Sequence, residues 1–223
     1  MILRDWFRSL LKHPARTLSS LDAYALWAAR YPPKAHNALM EVEQQAMLDL
    51  MPSLAGQTVL DLACGTGRYG VLARERGAIR VVEIDNSPAM LAANRLRHRL
   101  LATTEAIPLI GGSMDVVVCG LALGHVRRLQ PTMDEIARVL KLGGVALISD
   151  VHPFVALSGG QRTFRARDGS LYAVEHHIHL YAEYQRTAIQ AGLEVDMLLE
   201  PALNRTPVVI AFRLYKRGRA IST

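Results

Sequence analysis

Cysteine is scarce in this sequence of 223 residues, which has only two, Cys64 and Cys119. Two isolated thiols form neither a disulfide framework nor a zinc site, so we expect both to be reduced. Glu175, His177 and His179 fall on one side of a predicted strand, where they could suggest a metal ion. No second cluster is spaced to complete such a site, so we predict no metal and interpret these residues as a polar surface.

Long apolar runs are absent as well. No segment approaches the roughly 18 to 20 apolar residues that span a bilayer, and the first residues lack the apolar centre and cleavage site of a signal peptide. These absences favour a cytoplasmic location. Near the start, Trp6 and Phe7 oppose Arg4 and Arg8 in a basic amphipathic pattern. Such a face can contact a membrane surface, but we favour a lid packed on its own domain.

Lysine is rare, because only 4 of the 26 basic residues are lysine, although the net charge is +6. The arginines are scattered over predicted helices and are not gathered with aromatic residues into one platform. We therefore predict no nucleic-acid partner. The oligomeric state is not indicated.

From residue 57 onward, short apolar runs alternate with helical patterns. This alternation predicts a parallel sheet with helices on both faces. The last two strands are joined by five residues, "ALNRT", which are too few for a crossover helix, so those strands should pair antiparallel. The predicted strands lie at 58–63, 79–85, 114–123, 145–151, 194–201 and 207–217, and the helices at 68–77, 87–101, 131–144 and 179–193.

Asp168 and Gly169 stand between two alternating stretches, which is a strong signal for a β-hairpin. We expect this hairpin to form a cap over the edge of the sheet. The whole chain is predicted to be a single domain. Its parts are a helical lid at 1–52, a cofactor-binding core at 53–151, a cap at 152–182, and a final helix with a strand pair at 183–223.

Gly65, Gly67 and Gly70 form a Gly-x-Gly-x-x-Gly run between the first strand and the helix that follows it. Such a loop lets the backbone approach a negative group at a helix N-terminus. That group is a pyrophosphate in a dinucleotide enzyme and a methionine carboxylate in a sulfonium-cofactor enzyme. Asp85, at the end of the second strand, would hold ribose hydroxyls in either case.

Asp61 distinguishes between the two kinds of cofactor. A carboxylate at the mouth of the loop suits an ammonium group and repels a pyrophosphate. The reversed last strand is not expected of a dinucleotide fold built from two parallel halves. These features favour the sulfonium cofactor. A nicotinamide-dependent oxidoreductase remains the alternative.

Five ordered motifs carry a family resemblance: "VLDLACGTGRYG", "VVEIDNSPAML", "MDVVVCGLALGHV", "DEIARVLKLGGVALISDVHP" and "AGLEVDMLLEP". Over residues 57–201 the chain resembles the class I S-adenosylmethionine-dependent methyltransferases, specifically the small-molecule group that includes the ubiquinone and menaquinone C-methyltransferases. The resemblance implies a Rossmann-like, mostly parallel seven-stranded sheet with an antiparallel last strand. It also implies S-adenosylmethionine as cofactor and S-adenosylhomocysteine as product.

The implied reaction is methyl transfer to oxygen, carbon or nitrogen of a small acceptor. The apolar and aromatic character of 1–50 and 151–180 mildly favours a hydrophobic or aromatic acceptor. A protein that binds the cofactor for another reaction is a third possibility.

The resemblance also implies roles for single residues. Asp61 and the loop glycines would hold the methionyl end, Asp85 the ribose, and Met90 the adenine, although helix core explains Met90 equally well. Thr103 replaces the acid that usually faces the adenine. Tyr31 belongs to an aromatic pattern with Tyr24 and Trp27 that predicts a lid or core packing. The implied cofactor residues are Tyr31, Asp61, Cys64, Gly65, Gly67, Asp85, Asn86, Met90, Thr103, Thr104, Cys119 and Leu121.

Histidines are the candidate bases if the acceptor must lose a proton. The family often shows two histidines after the fourth strand, whereas this chain has Gly124 followed by His125. His152 and His179 are the other candidates, because both should lie at the ligand-binding edge or in the cap.

Overall fold

The structure, a computed structural model, describes residues 15–218. The basic pattern at residues 4–8 lies outside the described residues, and its role as a lid stays a prediction. Short 3₁₀ helices cover Ala28–Arg30 and Leu123–His125. The strands are β1 (Arg16–Leu18), β2 (Thr58–Leu62), β3 (Arg80–Asp85), β4 (Arg99–Leu101), β5 (Met114–Gly120), β6 (Leu140–Val151), β7 (Thr163–Arg165), β8 (Leu171–Val174), β9 (Leu193–Leu199), β10 (Ala202–Leu203), β11 (Thr206–Pro207) and β12 (Val209–Lys216). The α-helices are α1 (Ser20–Trp27), α2 (Ala38–Leu50), α3 (Arg68–Glu75), α4 (Pro88–Ala93), α5 (Leu129–Val139), α6 (Pro153–Leu157) and α7 (Tyr181–Gln190).

A seven-stranded sheet forms the centre of the fold, in the order β4-β3-β2-β5-β6-β12-β9. The first five strands run parallel, and β12 is antiparallel to both β6 and β9. The prediction of a mostly parallel sheet with a reversed last strand is therefore confirmed. The carboxyl ends of β2, β3 and β5 meet at one edge, which is where such sheets bind ligands.

Both faces of the sheet are covered by apolar side chains. One face buries Leu60 and Ile84 against Ile136 of α5 and Ala188 of α7. The opposite face buries the alternate residues of the same strands against α2 and α3, with Met47 fully enclosed. The predicted helices on both faces are thus confirmed, and the sheet is a rigid base for the residues at its edge.

Two predicted helices are wrong in length. The helix predicted at 131–144 is α5, which ends at Val139, and residues from Leu140 onward belong to β6 because they pair with β5. The pattern at 87–101 begins as expected, because Ser87 caps α4 by accepting a hydrogen bond from the backbone N–H of Met90. The helix ends at Ala93, however, where the Asn94 side chain accepts from the backbone N–H of Leu96 and closes a turn. Residues Arg99–Leu101 then form an edge strand beside β3.

The cap has three strands. The predicted hairpin around Asp168 and Gly169 is confirmed, with β7 antiparallel to β8. In addition, Arg16–Leu18 pairs parallel to β8, so this part of the predicted helical lid is a strand. Helix α1 packs on the cap through Trp27, whose ring stacks on Phe164 at a centroid distance of 4.9 Å. The described lid and the cap therefore share one apolar cluster.

Candidate functional site

The glycine loop after β2 has a backbone that needs glycine at two positions. Gly65 has a φ of 55° and Gly67 a φ of 91°, both in the left-handed region. Gly67 is the N-cap of α3. The loop is anchored because the backbone N–H of Cys64 donates to the carbonyl of Ile84 over 3.0 Å. The sequence-based reading of this segment as a tight turn into a helix is confirmed.

Asp85 ends β3 directly beside this loop. Its Oδ2 accepts a hydrogen bond from the backbone N–H of Gly65, and its Oδ1 accepts one from the backbone N–H of Ser87, both over 2.8 Å. Burial raises the pKa of Asp85, while the hydrogen bonds from Ser87 and Gly65 oppose the shift. The carboxylate is thereby oriented by two loops and lines the cavity described below.

Two further acids lie beneath the loop. Asp61 of β2 is in register with Glu83 of β3, and both are buried. Asp61 Oδ2 accepts from the backbone N–H of Gly70 over 2.8 Å. Burial raises the pKa of Asp61, and the negative charge of Glu83 raises it further. An ammonium group at Asp61 would offset both effects.

Glu83 fills the space left by Gly67 and Gly70, where an added methyl group would overlap its carboxyl group. Neither carboxyl oxygen has a hydrogen-bond partner within residues 15–218. Burial raises the pKa of Glu83 to about 7, although Asn94, Arg99 and Arg74 oppose the shift.

Glu83→Gln is expected to stabilise the protein increasingly as pH rises. Both the folded and the unfolded wild type are protonated at Glu83 below pH 4.5, the ordinary value. Between there and about pH 7 only the unfolded chain ionises, so wild-type stability falls. The advantage of the variant should therefore grow by about 3 kcal/mol up to about pH 8 in urea unfolding. A constant difference across this range contradicts the prediction.

A cavity of about 290 Å³ opens above the loop and Asp85. Ten predicted cofactor residues line it, whereas Gly67 and Cys119 do not. Gly67 packs against Glu83 and Asn94, and Cys119 is enclosed in the sheet core. The ten are Tyr31, Asp61, Cys64, Gly65, Asp85, Asn86, Met90, Thr103, Thr104 and Leu121.

His125 is the one predicted base that reaches this cavity. His152 instead caps α6 and bonds Glu200 over 3.0 Å. His179 is buried between the carbonyl of Val126 and the carboxylate of Glu183. The structure therefore places His152 and His179 away from the cavity, where their nitrogens serve local structure.

His125 has both ring nitrogens occupied. Nδ1 lies 2.9 Å from the carbonyl of Glu175, which makes Nδ1 the protonated nitrogen. Nε2 then accepts from the Tyr24 hydroxyl over 3.0 Å and from Arg162 Nη1 over 3.1 Å. Burial, together with the charge of Arg162, lowers the pKa of His125 to about 3. This geometry favours positioning of Tyr24 and Arg162 over acceptance of a proton.

A larger cavity of about 800 Å³ lies between the cap and α2. Its walls are mostly apolar and include Trp27, Phe154 and Val155. It meets the first cavity at Tyr31, Leu121 and Arg162, which line both.

Leu121 adopts a strained backbone at this junction, with a φ of 56°. Its N–H donates to the carbonyl of Ser149 over 2.8 Å, and its carbonyl accepts from Arg162 Nη1 over 2.9 Å. These bonds hold the end of β5 where the two cavities join.

Packing of the cap explains why position 124 has no side chain. A methyl group on Gly124 would overlap the imidazole of His176, which lines the larger cavity. The neighbours of His176 are tied to the same turn, because the N–H of His177 donates to the carbonyl of Gly124 over 2.6 Å and Glu175 accepts from His125. His176 thus occupies the space next to His125 that a side chain at position 124 would need.

Gly124→Ala is expected to destabilise the protein by about 1–3 kcal/mol because the new methyl group displaces His176. The double variant Gly124→Ala/His176→Ala should regain most of this loss, whereas Gly124→Ala/His177→Ala should not. Thermal unfolding measures all three variants. Equal stability of Gly124→Ala and the wild type would rule out the overlap.

Several site residues have no motif in the sequence. The aromatic pattern marks Tyr24 as part of a lid or of core packing, but no pattern marks Arg162, Glu43 or Ser149, because each reaches the site from a distant element. Glu43 of α2 is fully buried, accepts from the hydroxyls of Tyr69 and Ser149, and pairs with Arg68 over 2.7 Å. A charged residue at a buried position of an amphipathic helix is the one signal that could have identified it.

The predictions about metal ligands, membrane-spanning helices and cysteines also apply to residues 15–218. No group of three or more potential ligands there is arranged to hold a metal ion, and no helix in that span is long and apolar enough to cross a membrane. Cys64 and Cys119 are both free thiols, and burial raises the pKa of each.

The cavity residues fit S-adenosylmethionine. Two acids, Asp61 and Asp85, face the cavity and suit an ammonium group and ribose hydroxyls. Arg68, the cation at the loop, is already paired with Glu43 and is not available for a pyrophosphate. Thr103 and Thr104 line the side where the family places its adenine acid, although the Thr104 hydroxyl bonds Thr132 over 2.8 Å. The donor set therefore favours this cofactor over a dinucleotide.

Comparisons with known proteins agree with this geometry. Residues 60–148 match the family model described as "Methyltransferase domain". This chain is 35% identical to a malonyl-[acyl-carrier protein] O-methyltransferase of Serratia marcescens over 116 residues, which are 50% of this chain. The matched part covers 45% of that relative, so the chain spans less than half its length. An uncharacterized protein of Haemophilus influenzae is 29% identical over 200 residues, with 74% of this chain and 78% of that protein covered.

Solved structures show the same fold. An S-adenosylmethionine-dependent methyltransferase from Mesorhizobium loti superposes with a TM-score of 0.66 at 20% identity, covering 78% of this chain and 97% of that one. The [4+2]-cyclase SpnF superposes with a TM-score of 0.67 at 16% identity, covering 92% of this chain and 98% of that one.

The sheet order, the glycine loop and the acid that ends β3 define a Rossmann-like nucleotide-binding domain. Residues 60–148 of this domain carry the methyltransferase-domain match, which supports a class I S-adenosylmethionine-dependent methyltransferase domain with S-adenosylmethionine as its cofactor. The narrower likeness to the ubiquinone and menaquinone enzymes stays a prediction.

Proposed function

We propose that this chain transfers the methyl group of S-adenosylmethionine to a small molecule with an apolar body. One observation carries the proposal: the cofactor cavity adjoins the larger apolar cavity, with Tyr31, Leu121 and Arg162 lining both. A methyl donor in the first cavity and an acceptor in the second would meet at this junction. The apolar walls support the expected hydrophobic or aromatic acceptor.

The residues of the chain would act mainly by alignment and exclusion of water. Bound S-adenosylmethionine supplies an electrophilic methyl group on a sulfonium sulfur. Asp61 would hold the ammonium group and Asp85 the ribose hydroxyls, while Tyr24 and Tyr31 close the side facing α1. An in-line displacement gains its rate chiefly from such alignment in a site that excludes water.

The relatives support oxygen as one possible methyl acceptor. The Serratia marcescens protein is named for O-methylation of a malonyl group on an acyl-carrier protein, and we extend only the O-methylation to this chain. The nicotinamide alternative is not favoured, because Asp61 stands at the loop and Arg68 is paired with Glu43. The likeness to the [4+2]-cyclase SpnF is one of fold alone, so methyl transfer stays the proposed reaction.

Transfer of a labelled methyl group tests the proposal. The protein is incubated with S-adenosylmethionine carrying ¹³C in its methyl group and, separately, with octanoate, 4-octylphenol or octylamine. These acceptors share an apolar body and differ in the reacting atom. We expect labelled product and S-adenosylhomocysteine with at least one of them. Turnover no higher than that of the Asp85→Ala variant with all three contradicts the proposal.

A further inference from the structure

Arg162 stands at the junction of the two cavities, just before β7. Both of its hydrogen bonds use Nη1, which lies 2.9 Å from the carbonyl oxygen of Leu121 and 3.1 Å from Nε2 of His125. Its guanidinium carbon lies 5.6 Å from the centroid of the Tyr24 ring. The side chain is thus held at a fixed position, and Tyr31 lies close enough to be a further hydrogen-bond partner of the guanidinium.

No carboxylate of the described chain forms a direct ion pair with this cation, although the buried carboxylate of Asp150 raises the pKa of Arg162 from a longer distance. Among the ion pairs formed within residues 15–218, none includes Arg162. Glu175, the carboxylate that lines the larger cavity, is half exposed and lies nearest a histidine, with 3.8 Å between its Oε1 and His177 Nε2. An enclosed guanidinium is costly to desolvate unless an anion binds it. The described chain therefore places a cation without a direct ion-pair partner where the two cavities share their walls.

Within residues 15–218, the histidine at this junction has no free ring nitrogen. His125 is the histidine that lines the cofactor cavity, and its Nε2 already accepts from Tyr24 and Arg162. His176 lines the larger cavity but not the cofactor cavity. The histidine at this junction is therefore not arranged to take a proton, which suits a nucleophile that carries none.

We propose that the acceptor carries a carboxylate on its apolar body and that Arg162 binds this carboxylate, which is the group methylated. The inference rests on the proposed methyl transfer. Nε and Nη2 of Arg162 hold one carboxylate oxygen, and the other attacks the methyl carbon. The new O–C bond forms as the C–S bond breaks, and its electron pair stays on sulfur. A neutral methyl ester and S-adenosylhomocysteine result, and no proton moves.

Physical chemistry favours this pairing in an enclosed site. A sulfonium cation and a carboxylate anion are both consumed, so charge disappears along the reaction, and removal of water accelerates such a step. Charge-assisted hydrogen bonds from arginine stabilise a buried carboxylate more than they stabilise a neutral amide. Arg162 is thus the residue that selects the acid, while Tyr24 and His125 position its guanidinium.

Octanoate and octanamide test the inference, because they have the same length and differ in charge. Calorimetry measures each against protein saturated with S-adenosylhomocysteine. We expect wild type to prefer octanoate by about 10-fold to 100-fold. Arg162→Gln should lose this preference, and Arg162→Lys should keep part of it. Arg165→Gln is the matched control, because Arg165 is an exposed arginine that bonds the carbonyl of Gly169.

The outcomes separate this inference from the proposed function. Failure to bind S-adenosylhomocysteine, or absence of labelled product with every acceptor, contradicts the methyl transfer itself. Transfer to octylphenol or octylamine with no preference for octanoate over octanamide overturns the carboxylate inference alone. An undiminished preference in Arg162→Gln overturns the role of Arg162. Loss of preference in Arg165→Gln as well would assign the effect to surface charge and also overturn it.

Discussion

Asp85→Ala is expected to weaken the binding of S-adenosylmethionine by about 100-fold or more, as measured by calorimetry. Two hydrogen bonds from ribose hydroxyls to a charged acceptor contribute about 1.5–3 kcal/mol each, so losing both gives at least this factor. The carboxylate is already oriented by the N–H groups of Gly65 and Ser87. The ribose would therefore bind a group that needs no rearrangement.

A second ligand distinguishes the ribose contact from general damage to the loop. 5′-Methylthioadenosine has the ribose and adenine but lacks the charged methionyl end. Asp85→Ala should weaken both ligands by similar factors. Asp61→Asn should weaken S-adenosylmethionine much more than methylthioadenosine, because Asp61 would face the ammonium group. Asp168→Ala, in the exposed cap turn, is the control and should change neither affinity. Unchanged binding in Asp85→Ala would remove Asp85 from the cofactor site.

The sheet and the glycine loop could be predicted because their signals are local. Buried strands between helical patterns indicate the parallel sheet, and a loop of five residues indicates the reversed strand. The left-handed angles of Gly65 and Gly67 need residues that sequence shows directly. The helix at 87–101 failed for the opposite reason, because only pairing with β3 decides that Arg99–Leu101 is a strand.

The acceptor side could not be predicted because it is assembled from distant parts of the chain. Arg162 and His125 are 37 residues apart and meet only when the cap folds over the edge of the sheet. Neither position belongs to a periodic pattern that marks it as functional. Gly124 looked like a departure from the family motif, yet it makes room for His176 from the cap. Long-range packing thus decides which partners occupy the ring nitrogens of these histidines.

Glu43→Ala is expected to cost about 3–5 kcal/mol of the free energy of unfolding, measured in urea. The reason is that the buried guanidinium of Arg68, 2.7 Å from Glu43, would lose its only ion pair within residues 15–218. The hydroxyls of Tyr69 and Ser149 would lose their acceptor as well. Glu41→Ala, at an exposed position of the same helix, is the matched control and should change stability by less than about 1 kcal/mol.

The size of this effect follows from the three elements that Glu43 connects. Its carboxylate joins α2 to the first turn of α3, where the cofactor loop ends, and to Ser149 of β6. Ser149 Oγ accepts in turn from the N–H of Leu121, the strained residue at the junction of the two cavities. Glu43→Leu combined with Arg68→Met should restore most of the stability, because neither charge then remains buried alone. The same double variant should still bind S-adenosylmethionine less tightly than wild type, because Arg68 lines the cofactor cavity. If the double variant is no more stable than Glu43→Ala, the ion pair is not the origin of the loss.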